Sequence, residues 1–176
     1  MGVMPVFRDA CPEDVACVVA LVERAYRGEV SRAGWTTEAD LLDGQRTDAR
    51  EIGELVHGQD SRVRLAFLDG ELVACVRIDR GSGYGYIGMV SVEPTRQRDG
   101  LGRQLLAEAE RVIQEDLGLN RARMTVIGQR VELIAWYARR GYQPTGEREP
   151  FPYGEPRNGL PRRPDLYFEV LEKQLR

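Results

Sequence analysis

Hydrophobic and polar residues change rhythm several times along the chain, and each rhythm predicts an element. Val15, Val18, Val19, Val22 and Tyr26 recur at helical spacing through Arg27. Pro12 with Glu13 and Asp14 supplies the fixed φ and the acidic first turn of a helix start, and Gly28 ends the run. A short strand over residues 3–8 precedes it. Thr37 and Asp40, three apart, form a weak capping box ahead of a short helix within residues 34–42, and Asp48 with Glu51 repeats the device before a helix over residues 49–57 that closes at Gly58.

The rhythm then switches to period two. Val63, Leu65 and Phe67 alternate, Asp69 and Gly70 follow, and Leu72, Ala74, Val76 and Ile78 alternate again, which reads as a hairpin with a tight turn. A third run, residues 84–92, continues an antiparallel meander until Pro94 stops it. Helical spacing returns with Leu101, Leu105, Ala109, Val112 and Ile113, capped at Gly118. A strand over residues 122–127 and a helix over residues 130–140 follow, so a crossover must make two strands parallel and the sheet is mixed. Six prolines between Pro144 and Pro164 argue against a continuous ladder there, and a loop is expected over residues 149–163. Residues 165–172 alternate as a last strand.

Composition narrows the class. With 176 residues, 42% hydrophobic and 30% charged, the chain has the make-up of an ordinary globular protein, and the length predicts a single domain over residues 1–176. Twenty-five basic residues against 28 acidic ones leave a net charge of −3, so no global basic field exists to hold nucleic acid. No window reaches the roughly 20 apolar residues of a membrane span, and no secretory signal is recognised at the N-terminus. Cys11, Cys17 and Cys75 are odd in number and lack metal-site spacing, which predicts a reducing, cytoplasmic setting and no bound metal. The single histidine, His57, ends a predicted helix and is read as interacting with its dipole rather than as catalytic.

The chemistry concentrates between Val90 and Arg103. Val90, Ser91 and Val92 end a strand, Glu93 and Pro94 turn the chain, and Gly100 and Gly102 open a helix. Such a junction aims unpaired main-chain N–H groups outward at the positive end of a helix dipole, and glycines let an anion approach closely. Arg98 and Arg103 add cationic donors. A dinucleotide fingerprint would want a third glycine where Leu105 stands, and the P-loop pattern occurs nowhere.

Gln97, Arg98, Asp99, Gly100, Leu101 and Gly102 instead fit Q/R-x-x-G-x-G/A, and this run resembles the pyrophosphate-binding motif of the GNAT superfamily of N-acetyltransferases. The resemblance extends over nearly the whole chain. Trp136-Tyr137-Ala138-Arg139-Arg140-Gly141-Tyr142 is similar to the superfamily's second signature and follows the first in the right order. It implies an α/β fold with a mixed, mostly antiparallel sheet of six to seven strands, helices on both faces and a splayed parallel strand pair. It also implies acetyl-CoA as co-substrate, its pantetheine arm lying along Val90 and Val92 and its pyrophosphate on the N–H groups from Arg98 to Arg103, with the main chain near Val90 to Val92 polarising the thioester carbonyl.

Tyr137 stands where many relatives carry the phenol that returns a proton to the departing thiol. An asparagine common seven positions earlier is Arg130 here, with Gln129 beside it, and either is a substitute for that cofactor contact. No residue announces itself as the general base; Glu93, Tyr84, Tyr86 or an ordered water are the candidates. The acceptor is expected between the first helices, the meander and the late loop, against Tyr26, Arg27, Trp35, Thr36 and Phe151. Aromatic walls with few charges there would suit a small-molecule amine. A peptide or protein N-acetyltransferase and a non-catalytic acyl-CoA-binding or sensing domain remain alternatives, as does a homodimer.

Overall fold

The computed structural model describes residues 4–176. β1 (Val6–Asp9) leads through a 3₁₀ turn begun by Pro12 into α1 (Val15–Tyr26), whose Val18, Leu21 and Val22 are wholly buried. Residue 3, where the first strand was expected to start, lies outside the described residues. After a single helical turn, α2 (Gly28–Ser31), come β2 (Leu42–Asp43) and α3 (Ala49–His57). The Asp48 side chain caps α3 by accepting from the Glu51 N–H at 2.8 Å, as the spacing predicted, and His57 Nδ1 lies 2.7 Å from the Gly53 carbonyl in the last turn.

β3 (Ser61–Leu68) and β4 (Glu71–Arg80) form the expected hairpin. Asp69 and Gly70 have φ of 49° and 82°, the left-handed pair that matches a two-residue turn to the twist of its strands. β5 (Gly85–Val92) completes the meander; α4 (Leu101–Arg111), a π-turn over Val112–Asp116 and β6 (Arg121–Ile127) follow. The chain continues through α5 (Val131–Ala138), β7 (Gln143–Pro150), β8 (Leu160–Pro161) and β9 (Tyr167–Gln174).

Seven strands share one mixed sheet in the order β1-β3-β4-β5-β6-β9-β7, and β2 pairs with β8 apart from it. Alternation along the strands sends Val63, Leu65 and Cys75 to a core beneath α1 and α3. Ala66, Val76 and Ile78 face the opposite core, under α4 with Leu105 and Ile113. Helices therefore cover both faces. The three cysteines are unpaired, and burial pushes the Cys75 thiol up to about 12.

β5 and β6 run parallel but pair only at Gly85 with Ala122 and Tyr86 with Arg123. Beyond that point β5 stays with β4, bulging where Met89 takes φ 53°, while β6 stays with β9 along its whole length. The two strands separate like the limbs of a V.

Three expectations are corrected. Residues 34–42 form turns rather than a helix: Thr37 accepts from the Ala39 N–H at 3.0 Å, and Glu38 is drawn inward by two arginines, which a solvent-facing helix would not permit. The segment after Tyr142 contains the strand β7, paired with β9 across a register shift between Pro144 and Arg148. Its eight residues are all exposed, so it carries no alternating signal, and an edge position tolerates the N–H groups that Pro144 and Pro150 lack. The last strand starts at Tyr167 rather than at residue 165.

The junction of the V is tightly packed: a Cβ added at Gly85 would lie 2.3 Å from Ile113 Cγ1. Replacing Gly85 by Val is expected to destabilise the protein by about 1–3 kcal/mol through overpacking, read as a lower urea midpoint.

Candidate active site

The mouth of the V is closed from one side by the start of α4. Pro94–Asp99 form a 3₁₀ turn, Gly100 takes φ 78° at the N-cap, and no side chain caps the helix. Gln104 N–H reaches the Gly100 carbonyl at 3.2 Å, so Leu101, Gly102 and Arg103 are the residues whose N–H groups precede the first helical bond. A cavity of about 100 Å³ opens beside them, walled by Val90, Val92, Gly102, Arg103, Trp136 and Arg140 among others. The Trp35 and Trp136 rings stand 6.1 Å apart over it, and the Arg140 guanidinium lies 3.6 Å from the Trp136 ring.

This end of the site is electropositive. Arg98, Arg103, Arg139 and Arg140 have no carboxylate partner among the described residues, although most arginines elsewhere are paired. Burial, together with the fields of Arg139 and Arg103, pushes the Arg140 guanidinium below its ordinary value. Dipole, uncapped amides and unneutralised cations thus converge on one opening, and the donor set suits phosphate oxygens.

The strand edge facing the gap is held in place by side chains. Glu93 N–H donates to the Val73 carbonyl at 2.8 Å, so alternation turns the peptide groups of Val92 and Val90 toward the gap. The Tyr26 hydroxyl donates to the Val90 carbonyl at 2.9 Å and Gln97 Nε2 to the Val92 carbonyl at 3.3 Å. Gln97 Oε1 also accepts from Trp35 N–H at 3.0 Å, tying the loop over the gap to the end of β5.

A second cavity, of about 180 Å³, lies deeper between β5, β6 and the loops carrying Glu38, Arg46 and Phe151. Tyr26, Val90, Arg130, Leu133 and Tyr137 line both cavities, so the two meet at Tyr137. The Tyr137 ring packs edge-on against Trp136 and Tyr142, and the residue is only 4% exposed. Burial, reinforced by the nearby Tyr26, pushes its hydroxyl well above the usual phenol value despite the opposing field of Arg130.

Charge in the deeper cavity centres on Glu38. Its Oε1 accepts from Arg27 Nη1 and its Oε2 from Arg130 Nη1 at 3.1 Å, and all three side chains are buried. Arg130 Nη2 donates to Thr36 Oγ1 at 2.7 Å. Burial alone would raise the Glu38 carboxyl; the fields of Arg130, Arg27 and Arg46 outweigh it and hold the group below the usual carboxylate value.

The structure distributes the sequence-level candidates unevenly. Val90, Val92, Gln97, Gly100, Gly102, Arg103, Arg130, Tyr137, Tyr26 and Trp35 line the donor-side cavity, and Phe151 lines the deeper one. Ser91 is buried and its hydroxyl turns back onto the Met89 carbonyl; Leu101 is buried in the core; Arg98 and Asp99 are exposed at the rim. Gln129 points away, donating to the Asp165 carbonyl, so Arg130 and not Gln129 occupies the cleft. Glu93 lines neither cavity and is held by Arg24 at 2.8 Å. Of the other base candidates Tyr86 lines the deeper cavity, its hydroxyl 3.0 Å from Thr125 Oγ1.

The expectation of a weakly charged acceptor pocket is corrected by Arg27, Glu38, Arg46 and Arg130. Glu38 and Arg46 carry no one-dimensional signal, since each sits in a polar stretch that reads as surface.

A family model described as acetyltransferase (GNAT) family matches residues 21–142. Among solved structures, the ribosomal-protein-S18-alanine N-acetyltransferase from Escherichia coli is 14% identical with a TM-score of 0.71, over 98% of this chain and 94% of that one. A GNAT family acetyltransferase from Elizabethkingia anophelis with acetyl-CoA bound is 19% identical with a TM-score of 0.59, over 73% and 84%. A putative phosphinothricin N-acetyltransferase is 17% identical with a TM-score of 0.68, over 98% and 99%. No curated protein matches the chain by sequence.

Removing the one carboxylate from this buried cluster would leave its guanidinium groups uncompensated. Glu38→Gln is expected to cost about 3–5 kcal/mol in urea unfolding at neutral pH. Because folding depresses the Glu38 pKa, its contribution is complete above the unfolded value near 4.3 and is lost as pH falls through the folded value; the variant should lack that part of the acid dependence.

Proposed function

Since the chain belongs to the acetyltransferase (GNAT) family, we propose that it transfers an acetyl group from acetyl-CoA to the primary amine of a small molecule. The observation that carries this reading is the pair of cavities meeting at Tyr137, one ending at the uncapped start of α4 and the other lined by Glu38 and its arginines. A role in acyl-CoA sensing without turnover would use the first cavity and gives no reason for the second.

Acetyl-CoA supplies an acyl group already activated as a thioester. The main-chain amides of Leu101, Gly102 and Arg103, with the Arg103 and Arg140 side chains, bind its diphosphate. The missing side chain at Gly102 keeps close approach open, since a Cβ there would already touch the Trp136 ring at 3.4 Å. The edge of β5 at Val90 and Val92 orients the arm of the donor in the gap where β6 has moved away. Trp35 and Trp136 exclude water from that gap.

Tyr137 holds a proton at the junction of the cavities. With its hydroxyl displaced upward it stays protonated at neutral pH, so it holds a proton for the departing thiolate, as a weaker acid than an ordinary phenol, and cannot serve as the base. Glu38 is a poor base for the amine, because its proton affinity is lowered by the arginines on both its oxygens. The amine proton therefore leaves through water in the open part of the site.

Titration calorimetry is expected to show stoichiometric uptake of acetyl-CoA; no heat at high micromolar donor would overturn the reading. Arg103→Gln, which removes one unpaired cation, should weaken uptake about tenfold and flatten its salt dependence. Tyr137→Phe should lower kcat by about 100-fold in a free-thiol assay while the KM for acetyl-CoA changes little.

A further inference from the structure

The deeper cavity holds more positive charge than its protein partners neutralise. Arg27, Arg46 and Arg130 line it against one carboxylate, Glu38. Both oxygens of Glu38 are used by Arg27 and Arg130, and the Nε atoms of those two arginines remain buried without a partner. Arg46 feels the fields of Glu38 and Glu51, but among the described residues no carboxylate or hydrogen-bond acceptor is paired with its guanidinium, which lies 4.9 Å from the centre of the Tyr26 ring. An aromatic face attracts a cation but accepts none of its five N–H bonds.

The position of Arg46 is built rather than accidental. Glu23 Oε1, at the end of α1, accepts from the backbone N–H groups of Arg46 at 2.6 Å and of Thr47 at 2.8 Å. The loop is thereby fixed with the guanidinium on the cavity wall. Arg46 is half-buried and its donors stay within reach of water, which a ligand of matching shape and charge can displace.

We infer that the acceptor is a small aminocarboxylate, its amine directed to Tyr137 and its carboxylate received by Arg46 on the cavity wall. The inference rests on the acetyltransferase reading and specifies its second substrate. A planar carboxylate meets a guanidinium through two parallel N–H···O bonds, which no alcohol, neutral amide or second cation reproduces. The same excess of positive charge repels polyamines and other cationic amines. In the transfer, the ammonium group first loses a proton to water; the amine nitrogen forms the new C–N bond as the C–S bond breaks, a second proton leaves nitrogen for water, the sulfur takes the Tyr137 proton, and Tyr137 is reprotonated from water, so that amide, free thiol and one proton result.

The test compares a panel of amino acids with their carboxamides, their decarboxylated amines, aminophosphonates and diamines, followed by thiol release from acetyl-CoA with wild-type protein and Arg46→Gln. Arg46 has no ion-pair or hydrogen-bond partner among the described residues, but it stacks over Tyr26 and its field helps hold the Glu38 pKa down, so the variant should lose only a little in melting temperature, and its uptake of acetyl-CoA serves as the control. Expected is a kcat/KM for at least one amino acid about 10- to 100-fold above that of its carboxamide, the difference collapsing in Arg46→Gln while the carboxamide rate is unchanged. Equal or better use of neutral or cationic amines, preference for the phosphonates, or a carboxylate preference that survives in Arg46→Gln overturns the inference and leaves the acetyltransferase reading standing. So does failure to acetylate any member by protein that binds acetyl-CoA. Failure to bind acetyl-CoA overturns the donor assignment beneath both.

Discussion

Main-chain pairing joins β5 to β6 only at Gly85 with Ala122 and at Tyr86 with Arg123, and the entire site lies beyond those two pairs. A sheet that stayed zipped would use its N–H and C=O groups internally and leave nothing to offer a ligand. Here the two strands are committed to different neighbours, β5 to β4 and β6 to β9, so each remains well supported while the space between them opens. The bulge at Met89 bends β5 at the place where the separation begins. α4 and α5 then bring a helix start, Trp136 and Tyr137 to the gap, and the turns over residues 34–42 add Trp35.

Electrostatics divides that opening into two regions with different logic. At the donor end, Arg98 and Arg139 stand at the surface around an uncapped helix, where water screens them, and only Arg140 is partly withdrawn from it. In the interior such freedom is not available, and Glu38 does the neutralising by bridging Arg27 and Arg130. The bridge also explains local structure: with Glu38 anchored inward and Thr36 bonded to Arg130, residues 34–42 follow the needs of the cavity rather than helical spacing. Breaking one member of such a cluster costs far more than losing a surface pair.

Legibility in the sequence followed how local the determining physics is. The Asp69-Gly70 hairpin, the Asp48 cap and the amphipathic stripes of α1 and α4 are decided by neighbours a few residues apart, and the chain displays them openly. The six-residue motif from Gln97 to Gly102 and the aromatic pair Trp136 and Tyr137 were readable for the same reason, since each is a compact local pattern. β7 was not, because an exposed edge strand has no buried side to mark. Nor was the Glu38 cluster, which joins positions 27, 38 and 130 through space. Gln97 shows a third case: its place in the motif was evident, yet its side chain spans from Trp35 to Val92, two partners that only the folded chain brings together.

The outermost strand bears on how the molecule behaves in a crowd. An unpaired strand edge is an invitation for another chain to add itself, and repeated addition ends in aggregates. β7 discourages this along its whole length: Pro144 and Pro150 contribute no donor, the register break around Gly146 interrupts the ladder, and Glu147, Arg148 and Glu149 set full charges beside one another. A strand whose prolines argue against a ladder in the sequence thereby ends the sheet as a finished rim, one that a second copy could extend only with gaps in its ladder and at the cost of desolvating charges.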